Sequence, residues 1–514
     1  MIKTIAFSDE IVLWWTKETF PESANGYELY LDGEMHGRTA KTHYLFPKLQ
    51  AQKRYLICIK AYDDEKLLDE KSYSVLTGKA KNRLDVSKSP YNAVGDGSTL
   101  NTAALQRALD DCTANDVVYF PAGTYLSGAL NVHSDTEIYL AENAILQGTE
   151  NEVDYLPKIK SRFEGTEMLC YRSLLNMGEL DHTNYGYSCR NIILRGEGSI
   201  FGGGKALAVS IIEAERTRLK EYLAKNVDYV KTCENEDTIP GRVRGRLINI
   251  SNCENIVMSG LTMGYAASWN IHFVYSKNIV TCGCRICSNN QYGKDGKLLR
   301  EKVWNGDGWD PDSSEDCAVF NTVFATGDDC VAIKSGKNPE GNRINRPTKN
   351  VCVFDCFAEE GHAIAIGSEM SGGVENVRIW DCDISRLGCG LSVKSTRKRG
   401  GYIKNLFVEN SVIRGFFMRN VPYNDDGESA NELPVFSNFF FKKVTFLGGG
   451  YDKEREVCVS LCGFEEKGHN VQGVCFDDVT FAVAKSENVI EKQYTENLIL
   501  RNIRYVNDFG KRSS

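Results

Sequence analysis

The chain has 514 residues, 42% of them apolar, and a net charge of −8. That length supports one large domain plus a small one, and the composition excludes a disordered chain. The acidic balance argues against nucleic acid or a membrane surface as partner, and no stretch approaches the ~18–20 apolar residues of a membrane span.

The opening, MIKTIAFSDEIVLWW, places one Lys before a short apolar run that Asp9 and Glu10 interrupt. This does not fit an export signal, so a cytoplasmic location is expected. The 18 cysteines are scattered through apolar stretches and read as reduced core residues. Groups such as Cys282/Cys284/Cys287 and Cys352/Cys356 follow strand alternation, and no His/Cys partner set completes a zinc pattern. No zinc site is expected from these cysteines.

Residues 1–82 read as a small β-sandwich. The runs IVLWW, NGYELYLDG and THYLFPKLQAQKRYLICIKAY alternate with Asn-Gly and Asp-Gly turns. Trp14 or Trp15, Tyr27, Leu29, Leu49, Tyr55 and Ile59 fall where such a sandwich buries side chains. A polar linker, KAKNRLDVSKSP, follows. Asn101 or Thr102 then caps a helix with Ala104, Leu105, Ala108 and Leu109 on one face. VVYFPAGTYLSGALNV and TEIYLAENAILQG read as strands.

Beyond residue 190 one pattern recurs, among others as NIILRGEGSI, NIVMSGLTM, NVCVFDCFA, NVRIWDCDI, NLFVENSVI and NLILRNIRY. Most copies begin with Asn, which tolerates the left-handed conformation of a sharp corner and bonds to its counterpart along a stack. The irregular intervals fit stacked repeats with variable loops. The fold class expected for residues 83–514 is therefore all-β, a right-handed parallel β-helix. The early helix serves as a lid over its open end. Residues 205–242, charged and helical in pattern, and residues 289–304, polar, interrupt the coils and are expected to shape a binding face.

Acidic residues cluster in NGDGWDPDSSEDC and TGDDC. Asp307 lies roughly one coil before Asp328 and Asp329, so the three stack on one face. Crowded carboxyls separate in pKa, which suits one to donate a proton and another to activate water. Solvated turn aspartates or a calcium site are the bland readings. His362 and Lys394 join the same line by coil counting. Lys394, Lys334, Arg397, Lys398 and Arg399 read as a local basic patch for an anionic substrate. Trp269 and His272 either wall the site or belong to the core. GEGSIFGGGK lacks the spacing of a phosphate-binding loop, and no nucleophile-elbow serine is present.

These residues resemble glycoside hydrolase family 28, the polygalacturonases. The family pattern Asn-x-Asp-Gly, Asp-Asp-Cys, Gly-His-Gly and Arg-Ile-Lys is similar to NGDG (305–308), DDC (328–330), GHA (361–363) and SVK (392–394) here. The likeness runs over about residues 85–510, and the leading module resembles fibronectin type III, as in the bacterial exo-acting branch. The resemblance implies inverting hydrolysis of galacturonides without metal or organic cofactor. Asp328 would protonate the leaving oxygen, Asp307 and Asp329 would activate water, His362 would orient the acid, and Lys394 would bind a substrate carboxylate. The residues alone leave open which of Asp328 and Asp329 is the acid. Ser392 departs from the family Arg, so either Arg397 or Arg399 substitutes or the preferred sugar differs. The expected partner is an acidic oligosaccharide or polysaccharide. Alternatives are a hydrolase of a decorated galacturonan or rhamnogalacturonan, and a β-helix pectate lyase. An exo preference is expected if the two inserts close one end of the groove.

Overall fold

Alternating β-formers need a partner for every backbone N–H and C=O, and this chain finds them by winding upon itself. The computed structural model describes residues 2–231, 233–421, 427–450, 454 and 456–506. It divides into two compact units, residues 1–84 with 113–117, and residues 85–112 with 118–514.

The first unit carries two antiparallel sheets, of three and four strands. Alternate residues of Gly26–Leu31 and Arg54–Asp63 point into one core, where Trp15, Tyr27, Leu29, Tyr55 and Ile59 are buried. Leu49 is half-buried against that core.

The second unit is a right-handed parallel β-helix of three sheets. The recurring motif supplies two of them. In one copy Val374–Trp380 enters the first sheet and Asp383–Ile384 the second. The leading asparagines Asn191, Asn255, Asn278, Asn350, Asn376, Asn405 and Asn438 all have φ between 54° and 62°. Their amides form a ladder along the stack: Asn438 donates to Asn405 at 3.0 Å, Asn405 to Asn376 at 3.0 Å and Asn376 to Asn350 at 3.2 Å. Gly473 replaces Asn in one coil at φ 69°, and the ladder breaks there, Asn497 donating to Gln472 instead.

Inward residues such as Val377, Ile379, Leu406 and Val408 build one continuous core. Helix Thr102–Asp111 covers its beginning with Leu105, Ala108 and Leu109. Asn101 occupies the cap position without capping. Its side chain instead ties down the preceding loop through Val94 and Thr99. Residues 82–85, read as linker, form a strand.

The third sheet bears no shared motif. Its strands include Ile248–Ser251, Ile271–Val274, Trp309–Asp312, Val331–Ile333, Ala363–Ile366, Gly390–Ser395 and Gly415–Asn420. Trp309, Val331, Ile333, Ile364 and Leu391 face the core. The residues between them face outward, and these carry the charges.

Candidate active site

Parallel register brings the acidic motifs together. Trp309 pairs with Val331 and Asp312 with Lys334, which sets Asp307 beside Asp329 rather than beside Asp328. The amide of Gly308 donates to Asp329 O at 2.9 Å and that of His362 to Asp328 O at 3.0 Å. Residues 326–330 precede the strand as a bend, which lets both adjacent aspartates reach the same face. Two glycines make that bend fit. A Cβ on Gly327 would meet Val303 O at 2.1 Å, and one on Gly361, at φ 148°, would meet Cys330 Sγ at 2.6 Å.

The carboxyls have different surroundings. Asp328 is partly exposed and its Oδ1 lies 3.0 Å from His362 Nδ1, on a ring that is 45% exposed. Asp329 is buried and its Oδ2 accepts from Lys394 Nζ at 2.6 Å. Asp307 is buried with its Oδ2 3.6 Å from Lys334 Nζ, which also lies 3.7 Å from Glu369. Asp310, fully buried on the same outer face, has no hydrogen-bond partner for either oxygen among the described residues.

These differences separate the proton affinities. Burial pushes Asp307 well above the usual carboxylate range, helped by the charges of Asp310 and Asp328 and opposed by Lys334. Burial likewise raises Asp310 and Asp329, against the pull of Lys334 and Lys394 respectively. Burial works on Asp328 too, but the hydrogen bond and charge of His362 outweigh it and hold that carboxyl down. Reciprocally, the bond to Asp328 raises His362 above its ordinary 6.5. The face thus holds an ionised, imidazolium-paired carboxylate beside carboxyls of enhanced basicity. Oxygen and nitrogen atoms of Asp328, Asp329 and His362 lie within 4.8 Å of one another, close enough to share a metal ion. Asp328 pairs with His362, and Asp329 with Lys394.

The residues read from the sequence as a local basic patch have different surroundings. Lys334 and Lys394 are buried in ion pairs with site carboxylates. Arg399 is fully buried and donates to Ser368 O and Asn338 Oδ1. Arg397 is exposed and pairs with Glu466. Ser392 is buried and its Oγ reaches Phe417 O, beside a packed cluster of Ala363, Ala365, Cys389, Phe417 and Val457.

Trp269 and His272 lie beneath a cover. The hairpin formed by Ile159–Phe163 and Thr166–Cys170, to which the sequence reading gave no role, roofs the coils before Asp307. Its Phe163 stacks on Trp269 at 5.0 Å, Ser161 bonds Asn249, and Arg162 pairs with Asp312 at 2.8 Å with both side chains fully buried. Asp312 also meets His272 Nε2 at 3.4 Å, and burial pulls that histidine down to about 4, so it is neutral. Three arginines in GRVRGR, Arg242, Arg244 and Arg246, line the same side and were also missed. Their alternate spacing just before a strand was the available signal.

The inserts flank this roof. The helical one, led by Gly204–Arg218, packs Leu207, Ala208 and Ile211 against Tyr155, Tyr171 and Ala267. Trp304, at the end of the second insert, joins that cluster. On the other side of the acidic coils, the outer face opens into a cleft of about 730 Å³ that includes Phe417, Arg419, Ser460, Glu491 and Lys492.

Comparison with known proteins identifies the family and the fold. Glycosyl hydrolases family 28 matches residues 226–494, more than half of the chain. The chain belongs to glycosyl hydrolase family 28. Residues 86–160 match the family described as rhamnogalacturonase A/epimerase, pectate lyase-like. The chain is 28% identical over 382 residues to an exo-poly-alpha-D-galacturonosidase of Dickeya chrysanthemi, covering 69% of this chain and 61% of the relative. It is 27% identical to a probable polygalacturonase of Vitis vinifera, covering 68% and 64%. The chain thus spans a little under two thirds of the length of these curated relatives. Among solved structures, a family 28 exopolygalacturonase of Yersinia enterocolitica superposes with a TM-score of 0.79 at 22% identity, over 100% of this chain and 99% of that one. A hyperthermoactive exopolygalacturonase of Thermotoga maritima gives 0.66 at 23%, over 83% and 92%. At these identities the structural likeness establishes the shared β-helix.

Proposed function

We propose that this family 28 member is an exo-acting polygalacturonase, hydrolysing α-1,4-galacturonosidic bonds with inversion and releasing galacturonic acid from a chain end. The observation that carries this reading is the row of Asp307, Asp328, Asp329 and His362 on a sheet face that is roofed on one side and open on the other. The names of the Dickeya, Yersinia and Thermotoga proteins lend it support.

Asp328 is the acid in this reading, because it is the more exposed of the adjacent pair and Asp329 is engaged by Lys394. The free enzyme stores the proton in the His362–Asp328 pair. As the glycosidic oxygen gains electron density, the proton moves from His362 Nδ1 to Asp328 and on to the leaving group. Asp307 and Asp329, made more basic by burial, take a proton from the attacking water. Lys334 and Lys394 oppose that rise and favour the ionised form of the pair. Lys394, bonded to Asp329, positions the base and meets the substrate carboxylate when a sugar is bound.

The test is a digest of polygalacturonate and trigalacturonate with a chelator present, followed by chromatography and ultraviolet absorbance. Saturated monomer as sole early product supports the reading. Random oligomers would make the enzyme endo-acting, and calcium-dependent unsaturated products would make it a lyase.

A further inference from the structure

Arg300 is a half-buried cation that no carboxylate of the described residues engages. It ends the hairpin of the second insert, Gln291–Tyr292 with Leu298–Arg300. Its guanidinium carbon lies 4.0 Å from the centre of the Phe201 ring and 5.2 Å from that of Tyr265. Among the described residues its side chain donates to Gln147 Oε1, at 2.9 Å, and forms no ion pair. Burial holds its pKa below the ordinary value, and the groups that oppose this are Tyr265 and Cys287, not a carboxylate. A planar fork of donors is thus fixed in place with most of its bonds unmade by protein groups.

Those donors stand at open space. Arg300, Gln147, Glu150 and Leu299 line two adjoining cavities, of about 630 and about 250 Å³. The larger falls within the roughly 300–1,000 Å³ usual for small-molecule sites. Both lie beside the second sheet, and none of Asp307, Asp328, Asp329 and His362 lines either. The larger cavity is also lined by Thr149, whose side chain is 8% exposed and whose Oγ1 has no hydrogen-bond partner among the described residues. Buried polar groups are nearly always bonded, so an unpaired hydroxyl beside an unpaired cation points to a ligand.

The walls narrow the chemistry of that ligand. Glu150 and Glu301 share the smaller cavity with Arg300, and Lys205 is taken by Glu301. One free guanidinium between acids suits a single planar carboxylate, whereas a doubly charged phosphate meets more repulsion. Leu299, 62% exposed, gives the cavities an apolar rim for the C–H face of a sugar ring.

We propose that Arg300 and Thr149 form an accessory site for a uronic acid, outside the acidic row, with the carboxylate on Arg300 and a sugar hydroxyl on Thr149. The choice of a uronic acid rests on the exo reading above. Gln147 positions the guanidinium, and the site holds an acidic sugar on the enzyme without occupying the row.

The experiment is equilibrium dialysis with radiolabelled galacturonate, with galactose as the neutral control. It uses wild type, Arg300→Gln, Arg300→Lys, Thr149→Val and, to weaken binding at the row, Lys394→Ala. Arg300→Gln should lose one bound galacturonate per chain, its affinity there falling by about tenfold or more, with Arg300→Lys between. Thr149→Val, which removes a hydroxyl that bonds to nothing in the protein, should fold normally and weaken the same site by about fivefold. Lys394→Ala should keep it, and galactose should bind it at least about tenfold more weakly. Binding unchanged in both Arg300→Gln and Thr149→Val, or galactose bound as well as galacturonate, would overturn the proposal.

Activity separates this site from the row. Arg300→Gln should hydrolyse trigalacturonate with kcat/KM within about twofold of wild type. A loss of about tenfold or more would place Arg300 in the catalytic groove and overturn the accessory assignment. If wild type does not hydrolyse trigalacturonate yet Arg300→Gln still loses its galacturonate, the exo reading falls and the site stands. If hydrolysis proceeds and the variants bind galacturonate as wild type does, the site falls and the reading stands. Should Arg300→Gln fail to fold, Arg300→Lys and Thr149→Val carry both measurements.

Discussion

The first and third sheets of the same coil follow opposite rules. At the corner of the first sheet, successive coils repeat one residue type, and each asparagine amide satisfies the next. On the outer face of the third sheet, successive coils place Asp307, Asp329, Lys334 and Lys394, unlike residues that satisfy one another only in ion pairs across coils. Repetition buys architecture, because identical neutral groups stack at the coil spacing without electrostatic conflict. Crowding and burial of charge on the third sheet in turn alter the proton affinities of its carboxyls.

The sharpest test of this contrast is Asp328→Asn. Turnover should fall by about 10²–10⁴, the range for loss of general acid catalysis, while the thermal midpoint stays within a few degrees. A large fall in melting temperature with modest loss of turnover would mean that the third sheet is structural after all.

Lys394→Ala should come next. Removing the cation bonded to Asp329 leaves a buried carboxylate unpaired, so the pKa of Asp329 rises further and the acid limb of the pH–rate profile moves to higher pH. We expect kcat to fall by about tenfold or more, with a rise in KM. An unmoved acid limb would argue that Asp329 is not part of the base.

The wild-type profile of kcat/KM should be bell-shaped. Asp307 and Asp329 are raised above 3.8 and must be ionised, so activity appears as pH climbs through their folded pKa values. His362 is raised above 6.5 and must be protonated, so activity is lost as pH climbs through its folded value. The stability that His362 gains from Asp328 is fully present below 6.5 and is lost over the same alkaline interval. His362→Asn should lower activity and abolish that alkaline limb; a limb that persists would assign it to another group.

On the architectural side, Asn405→Ala removes two ladder bonds and puts a Cβ-bearing residue without a polar side chain at φ 60°. It should destabilise by about 1–3 kcal/mol in denaturant melts and leave KM unchanged. Loss of activity at unchanged stability would blur the division between the sheets.

The smallest effect is expected for Arg397→Ala. Its ion pair with Glu466 is exposed on both sides and screened by solvent. KM should change by less than about twofold. A large rise would restore Arg397 to the substrate-binding role read from the sequence.

The ladder and the site were legible to different degrees. Asn followed by alternating β-formers recurs often enough to reveal two sheets and their corners, since stacking forces every coil to solve the same turn. The third sheet escaped because its outward residues differ from coil to coil and repeat no motif. Its clustered aspartates were still visible, as their spacing nearly equals a coil. The register added what spacing leaves open: Asp307 stands beside Asp329, and Asp328 turns to His362.

Charge alone misled for the basic residues. Arg397, Arg399, Lys334 and Lys394 are alike in sequence, yet one is exposed and three are buried. The roof could not be read at all, because Phe163 and Arg162 reach Trp269 and Asp312 across more than a hundred residues.

By itself, the sequence determined the coil: its corner residues, its inward alternation and the near-coil spacing of its acids are local properties that any stacking must respect. Only the tertiary structure decided which carboxyls are buried, which cations they keep and which side of the groove is closed, because burial and pairing depend on chain segments that meet only after the coil has formed.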